Sequence, residues 1–191
     1  ERPAESRQLG LGANTALNDH RLIDAVKQGS LSGVRALLQR GVDVDRRAQD
    51  GATALHWAVL RDEPVLVDVL LAAGADVSAV NRYGVEPIAL ASLNGSASIL
   101  ARLLEAGADP NATQPGGETA LMTAARTGAL EAVEILLEDG ADPAAREWSK
   151  SQTALMWAAA EDNAGVVRVL VAAGADVHAR SNVSLDLTPN E

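Results

Sequence analysis

Cysteine is absent from the 191 residues, which excludes disulfides, thiol nucleophiles and cysteine-ligated metal. Phenylalanine is absent as well, and aromatics amount to only 2 %: Trp57, Trp148, Trp157 and Tyr83. A packed core without Phe has to be built from Ala, Leu and Val, which suits thin helices stacked closely. No apolar run approaches the ~20 residues needed to cross a bilayer. The N-terminus (ERPAESRQLGLGANTA) has neither an initiator Met nor the apolar centre of a signal peptide, as in a processed or trimmed chain. Basic residues are few, 16 against 26 acids, so the net charge is −10 and the pI near 4.7. Phosphate backbones and anionic lipids demand a basic surface, so neither nucleic acid nor membrane insertion is expected.

Catalytic and metal-binding patterns are missing too. His20, His56 and His178 stand in different parts of the chain, and no pair has the i, i+4 spacing of a helical zinc site. There is no phosphate-binding glycine loop, no calcium loop and no Gly-x-Ser-x-Gly elbow. No enzyme activity, cofactor or metal is therefore expected. Of the 16 bases only Lys27 and Lys150 are lysine, leaving 14 Arg, and Ala is abundant, which hints at a GC-rich bacterial genome. A cysteine-free chain of this kind fits the bacterial cytoplasm, the periplasm or secretion equally.

What the sequence does have is a beat. Apolar residues at 47 % and charged residues at 22 % are ordinary for a globular chain long enough for a sizeable core. Within it Gly41-Val42-Asp43, Gly74-Ala75-Asp76, Gly107-Ala108-Asp109, Gly140-Ala141-Asp142 and Gly174-Ala175-Asp176 recur at intervals of 33, 33, 33 and 34 residues. A second phrase keeps the same register: Thr53-Ala54-Leu55-His56-Trp57-Ala58, Glu86-Pro87-Ile88-Ala89-Leu90-Ala91, Thr119-Ala120-Leu121-Met122-Thr123-Ala124 and Thr153-Ala154-Leu155-Met156-Trp157-Ala158. Each period reads as helix, tight turn, helix and extended loop. Thr53, Thr119 and Thr153 are N-caps by type, and Gly29, Gly95 and Gly128, with Asp62 and Asp162 at the matching places, supply left-handed turns. Second helices such as Ala129–Asp139 carry an apolar stripe, here Val133, Leu136 and Leu137. Asp50-Gly51, Tyr83-Gly84 and Gly116-Gly117 are hairpin-type turns, and the loop from Arg146 to Gln152 holds one extra residue.

This pattern resembles the ankyrin repeat, whose signature is a period of about 33 carrying Thr-Pro-Leu-His-x-Ala. The resemblance implies an all-α solenoid of stacked helix-turn-helix units joined by β-hairpin-like loops. It divides the chain into a flexible segment at 1–17, a repeat domain at 18–180 and an incomplete sixth unit or capping tail at 181–191. The units fall at about 18–47, 48–80, 81–113, 114–146 and 147–180. Unit one lacks the Thr phrase and reads as an N-terminal cap, with Asp19 capping its helix. In the family the signature His braces adjoining loops; here it survives only at His56, and Ala89, Met122 and Met156 cannot replace it. The fifth unit's Val166–Val171 is nearly apolar throughout, whereas terminal repeats normally present a polar face. Either further repeats follow in the natural protein, which is the favoured reading, or Val183, Leu185 and Leu187 fold over this end, or copies associate through it.

The resemblance also implies protein–protein recognition without catalysis, on the concave side formed by inner helices and loop tips. Carried onto this chain, the family's contact places are Gln49, Asp50, Arg61, Arg82, Tyr83, Asn94, Glu118, Arg126, Trp148, Lys150, Gln152 and Glu161. Arg61, Arg82 and Arg126 suggest a basic ridge in a groove less negative than the convex face, suited to an acidic or mixed protein segment. Trp148 sits in the lengthened loop with Arg146, Glu147 and Lys150, either as an interface anchor or packed on the next loop. Trp57 and Trp157, at equivalent places, read as structural, and His20 and His178 as solvated. The repeat aspartates should bond turn amides, while Asp68, Glu105, Glu131, Glu134, Glu138 and Asp139 belong to a solvated convex side. A self-associating structural solenoid and a regulatory appendage of a longer, enzymatic protein are the alternatives.

Overall fold

The computed structural model describes residues 20–182. Within them lie ten helices in five antiparallel-type pairs: α1 (Arg21–Lys27) and α2 (Leu31–Gln39), α3 (Ala54–Leu60) and α4 (Pro64–Ala72), α5 (Pro87–Asn94) and α6 (Ala97–Glu105), α7 (Ala120–Thr127) and α8 (Leu130–Glu138), α9 (Ala154–Ala160) and α10 (Ala164–Ala172). The expectations for the segment 1–17, for Asp19 as a cap and for Val183, Leu185 and Leu187 lie outside the described residues. Helix α1 begins after His20, whose side chain makes no capping bond.

Local chemistry sets the boundaries. Thr119 and Thr153 Oγ1 accept from the Met122 and Met156 N–H at 3.3 and 3.4 Å. Each tight turn within a pair is left-handed at its expected residue: Gly29, Gly95 and Gly128, and also Asp62 and Asp162 at φ 55° and 57°. At Gly128 a side chain is excluded twice over, since φ is +73° and a Cβ would lie 2.6 Å from Asn163 Oδ1. Beyond the second helices, the five repeat aspartates do what their type predicts. Asp43, Asp76, Asp109, Asp142 and Asp176 each accept from the N–H two residues on, at 2.8–3.1 Å.

The units stack in sequence order. Inner helices pack α1 on α3, α3 on α5, α5 on α7 and α7 on α9, and outer helices pack α2 on α4 through to α8 on α10. All substantial contacts join a helix to its own partner or to its counterpart next door. Small residues make the approach possible: Ala58, Ala91, Ala124 and Ala158 are each fully buried on the inner helices. Leu70, Leu103, Leu136 and Leu170 form the matching column on the outer ones, also at 0 % exposure. Burying one such Leu is worth roughly 2–3 kcal/mol, against about 1 kcal/mol for a loop hydrogen bond, so side-chain stacking carries the fold.

The loops are hairpins in miniature. Two backbone bonds close each of the first three: Ala48 N–H to Ala52 O with Gly51 N–H back to Ala48 O, and likewise Asn81 to Val85 with Gly84 to Asn81, and Gln114 to Glu118 with Gly117 to Gln114. Glu147 N–H to Gln152 O closes the last, and all are at 2.8–3.1 Å. One isolated bridge, Thr113 with Thr119, is the nearest approach to a strand among the described residues. Neighbouring hairpins are tied by Arg82 N–H to Asp50 O, Trp148 N–H to Gly116 O and Asn182 N–H to Lys150 O. The series skips one step because Pro115 occupies the donor position between Arg82 and Trp148 and has no N–H.

His56 ties a helix start to the next hairpin. Its Nδ1 accepts from the Thr53 N–H at 3.2 Å, which leaves the proton on Nε2 to donate to Val85 O at 3.0 Å. Burial lowers its pKa below the usual 6.5, against the opposing pull of the Val85 carbonyl. The neutral ring is thus favoured in the fold, and its stabilisation is complete above the unfolded pKa and lost as pH falls through the folded one. Urea melts from about pH 7.5 to about 5.5 should show stability declining in the wild type and a flatter profile in His56→Ala. That variant should also be less stable at neutral pH by about 1–3 kcal/mol, because two buried backbone groups lose their partner.

Candidate functional site

Inner helices and hairpins together form a continuous surface, and its side chains repeat with the units. At the seventh place of each inner helix stand Lys27, Leu60, Leu93, Arg126 and Ala160; at the fourth stand Asp24, Trp57, Leu90, Thr123 and Trp157. In two units the seventh place overlies the fourth of the next. Lys27 Nζ lies 4.0 Å from the Trp57 ring centre, and the Arg126 guanidinium 5.4 Å from that of Trp157. Both tryptophans are half-buried against the core, as a structural role requires, and each also carries a cation. Trp157 Nε1 donates to Gln152 Oε1 at 3.3 Å, whereas Trp57 Nε1 is buried without a partner, since Ala52 stands where Gln152 would.

The predicted residues fall into separate groups along this surface. Gln49, Asp50 and Arg82 are knitted together: the Arg82 guanidinium donates to Gln49 O, and its N–H to Asp50 O. Glu118 and Arg126 face each other at 3.7 Å, with Glu118 also accepting from Thr123 Oγ1. Tyr83 and Trp148 project from hairpin tips at 65 % and 72 % exposure. Trp148 nonetheless lies against the neighbouring loop, its ring over Gly117, where a Cβ would sit 2.4 Å away. Of the two alternatives weighed for this residue, the packing on the next loop is present, and the ring still keeps most of its surface in water. Gln152 is taken up by Trp157, and Glu161 is exposed at the end of α9.

Arg61 and Asn94 are placed differently. The Arg61 guanidinium reaches Glu63 at 3.4 Å beside the turn at Gly29, and Asn94 Nδ2 donates to Val59 O at 2.9 Å, tying α5 to the end of α3. Asn163 makes the same tie one pair of units along, to Ala125 O. The three arginines read as a ridge thus have separate partners and do not meet. All six convex acids named above are exposed. His178 is exposed as expected, but His20 is half-buried with an enclosed Nδ1. It lines a shallow cavity of about 410 Å³ with Ile23, Asp24, Lys27, Asp50 and Arg82.

Among the described residues, no group of three His, Asp or Glu could hold a metal ion. None of the described helices is long and apolar enough to cross a membrane. A family model of ankyrin repeats, three copies long, matches residues 22–114 and again 88–181. The chain belongs to the ankyrin-repeat family. Ankyrin repeats generally serve as protein–protein interaction modules, and the family is typically non-catalytic. No curated protein matches the chain.

Glu147 is the residue that sequence reasoning passed over. It is buried in the lengthened loop, and its carboxylate accepts from the N–H groups of Ser149, Lys150 and Gln152 at 2.6, 2.7 and 3.0 Å. The extra residue is absorbed around it, with Ser151 at φ 55°. The Gln152 N–H foremost, then those of Lys150 and Ser149, holds the carboxyl below the usual carboxylate range. Its contribution is present at neutral pH and lost as pH falls through the lowered value. Glu147→Gln should abolish exchange protection at those three amides and shift Trp148 emission, with little change elsewhere by NMR. In the wild type the same amides should stay protected through pH ~4.5 and open only below it.

Proposed function

We propose that this ankyrin array is a non-catalytic binding module that holds a protein partner against its inner helices and hairpin tips. The observation that carries the reading is the set of large side chains left in water on that surface, among them both exposed aromatics; the large apolar residues exposed elsewhere, Val65, Val80, Leu130, Val171 and Val177, are all aliphatic. Tyr83, Trp148, Leu60 and Leu93 are 65 %, 72 %, 46 % and 50 % exposed, at places where the repeat leaves side chain identity free. Exposed aromatics on a rigid support are the usual anchors of an interface. Hydrogen bonds between neighbouring hairpins hold the tips in fixed relation, which lowers the ordering cost of binding.

Self-association through the C-terminal flank is a second reading with an observation of its own. Leu155 and Met156 are only half-buried, whereas their counterparts Leu121 and Met122 are sealed by the following unit. Light scattering over a concentration series tests it, and a monomer throughout would dismiss it. For the binding-module reading, affinity capture from the source organism's lysate should compare the wild type with a Trp148→Ala, Arg82→Ala, Arg126→Ala variant shown to be folded. Partner recovery should fall about tenfold or more in the variant. Equal recovery would remove this surface from consideration.

A further inference from the structure

The seventh places of the first four inner helices read, in order, Lys27, Leu60, Leu93 and Arg126: two exposed leucines between two cations. From this row, and resting on the reading of that face as the binding surface, we propose that the occupant is an amphipathic α-helix of a partner protein. The helix presents two apolar side chains seven residues apart and a carboxylate seven residues beyond each.

Spacing is the first argument. Stacked helices lie about 8–10 Å apart, so the row advances by about 10 Å at each step. In an α-helix seven residues advance about 10.5 Å and return to the same face with a drift of only about 20°. An extended strand covers the same distance in three residues, but three is odd, and successive contacts would point to opposite sides. A polyproline helix does return to one face every three residues, at about 9.3 Å. Its slender chain would cover the row alone, whereas an α-helix about 10 Å broad also covers the half-buried Leu90 beside it.

Charge is the second argument. Lys27 and Arg126 are the ends of the apolar stretch, and both are held in place over a tryptophan ring, which fixes their position without neutralising them. Glu118 partly screens Arg126 at 3.7 Å, and Asp24 lies one turn before Lys27 in α1. Each charged end therefore contributes less than the leucines between them, and its role is to select acidic over basic partners. The pattern is the same read from either end, so both orientations of the helix satisfy it.

Synthetic helical peptides of about 24 residues test the proposal by fluorescence anisotropy. One carries Glu, Leu, Leu and Glu at seven-residue spacing in an Ala- and Gln-rich background, one has Lys in place of both Glu, one has Ala in place of both Leu, and one is a proline-rich peptide with the four residues spaced by three. The first should bind, with the Lys and Ala versions weaker by about tenfold or more. Leu60→Asp with Leu93→Asp should abolish binding, and both sites are exposed enough to leave the circular dichroism melt unchanged. Lys27→Glu with Arg126→Glu should reverse the preference toward the Lys peptide. Equal binding of the Glu and Lys peptides, indifference to the leucine substitutions, tighter binding of the proline-rich peptide, or no binding of any would each overturn it. If capture of natural partners still depends on the hairpin tips in that event, the binding-module reading stands and only the helical occupant is lost.

Discussion

Everything in this molecule depends on the close approach of successive inner helices. A pair of seven- to nine-residue helices cannot bury both its flanks by itself, and isolated helices so short are marginal in water. The column of Ala58, Ala91, Ala124 and Ala158 removes the side-chain bulk that would hold the units apart, and larger residues on either side then interlock. Because burial is shared between neighbours, stability grows with the stack and not with any unit. The residues that do this work are all on the flanks. The exposed side chains of the inner helices, such as Leu60 and Leu93, contribute little to the stack, so folding leaves their identity free.

The hairpins obey the same period with weaker forces. Three of four neighbouring pairs are joined by a backbone bond at one register, and the fourth is interrupted by Pro115. There the contact is made by shape: the Pro115 ring covers Gly84, where a Cβ would meet its Cγ at 2.6 Å. Tyr83, whose carbonyl would have accepted the missing bond, sits at the least tethered tip and is among the most exposed side chains. Further ties come from side chains below the hairpins. Asp45 accepts from the Asp76 N–H and Asn111 from the Asp142 N–H, at 2.9 and 2.8 Å, while Ser78 and Ala144 at the matching places are not seen to make the link.

The repeat, its turns and its caps were legible because each rests on a local rule. A glycine or aspartate at a left-handed turn, a threonine before a helix and an aspartate two residues before an amide need no knowledge of the neighbours. What escaped was whatever depends on the next unit. Asn94 reads as a partner contact and Asn163 is not singled out, yet their amides span to carbonyls more than thirty residues earlier. Glu147 looked like the polar escort of Trp148 and is instead the buried acceptor around which the extra residue folds. The three arginines read as a ridge diverge for the same reason. Equivalent places in the period do not guarantee that long side chains turn the same way, and each found a different nearby acceptor. The cation over each tryptophan could have been found, since Lys27 and Arg126 are three periods apart and so are Trp57 and Trp157 within one residue.

Magnitudes separate what those two pairs do for the fold from what they do for the surface. A partly exposed cation over an aromatic ring is worth about 0.5–1 kcal/mol, so both together contribute less than a single buried leucine of the outer column. The pairs are therefore minor in the stack. On the concave side the same geometry matters more, because a lysine or arginine otherwise free to sample many rotamers is fixed at each end of an apolar pair. Rotamer freedom already given up in the free protein is not lost again on association, and that saving is realised only when something binds there.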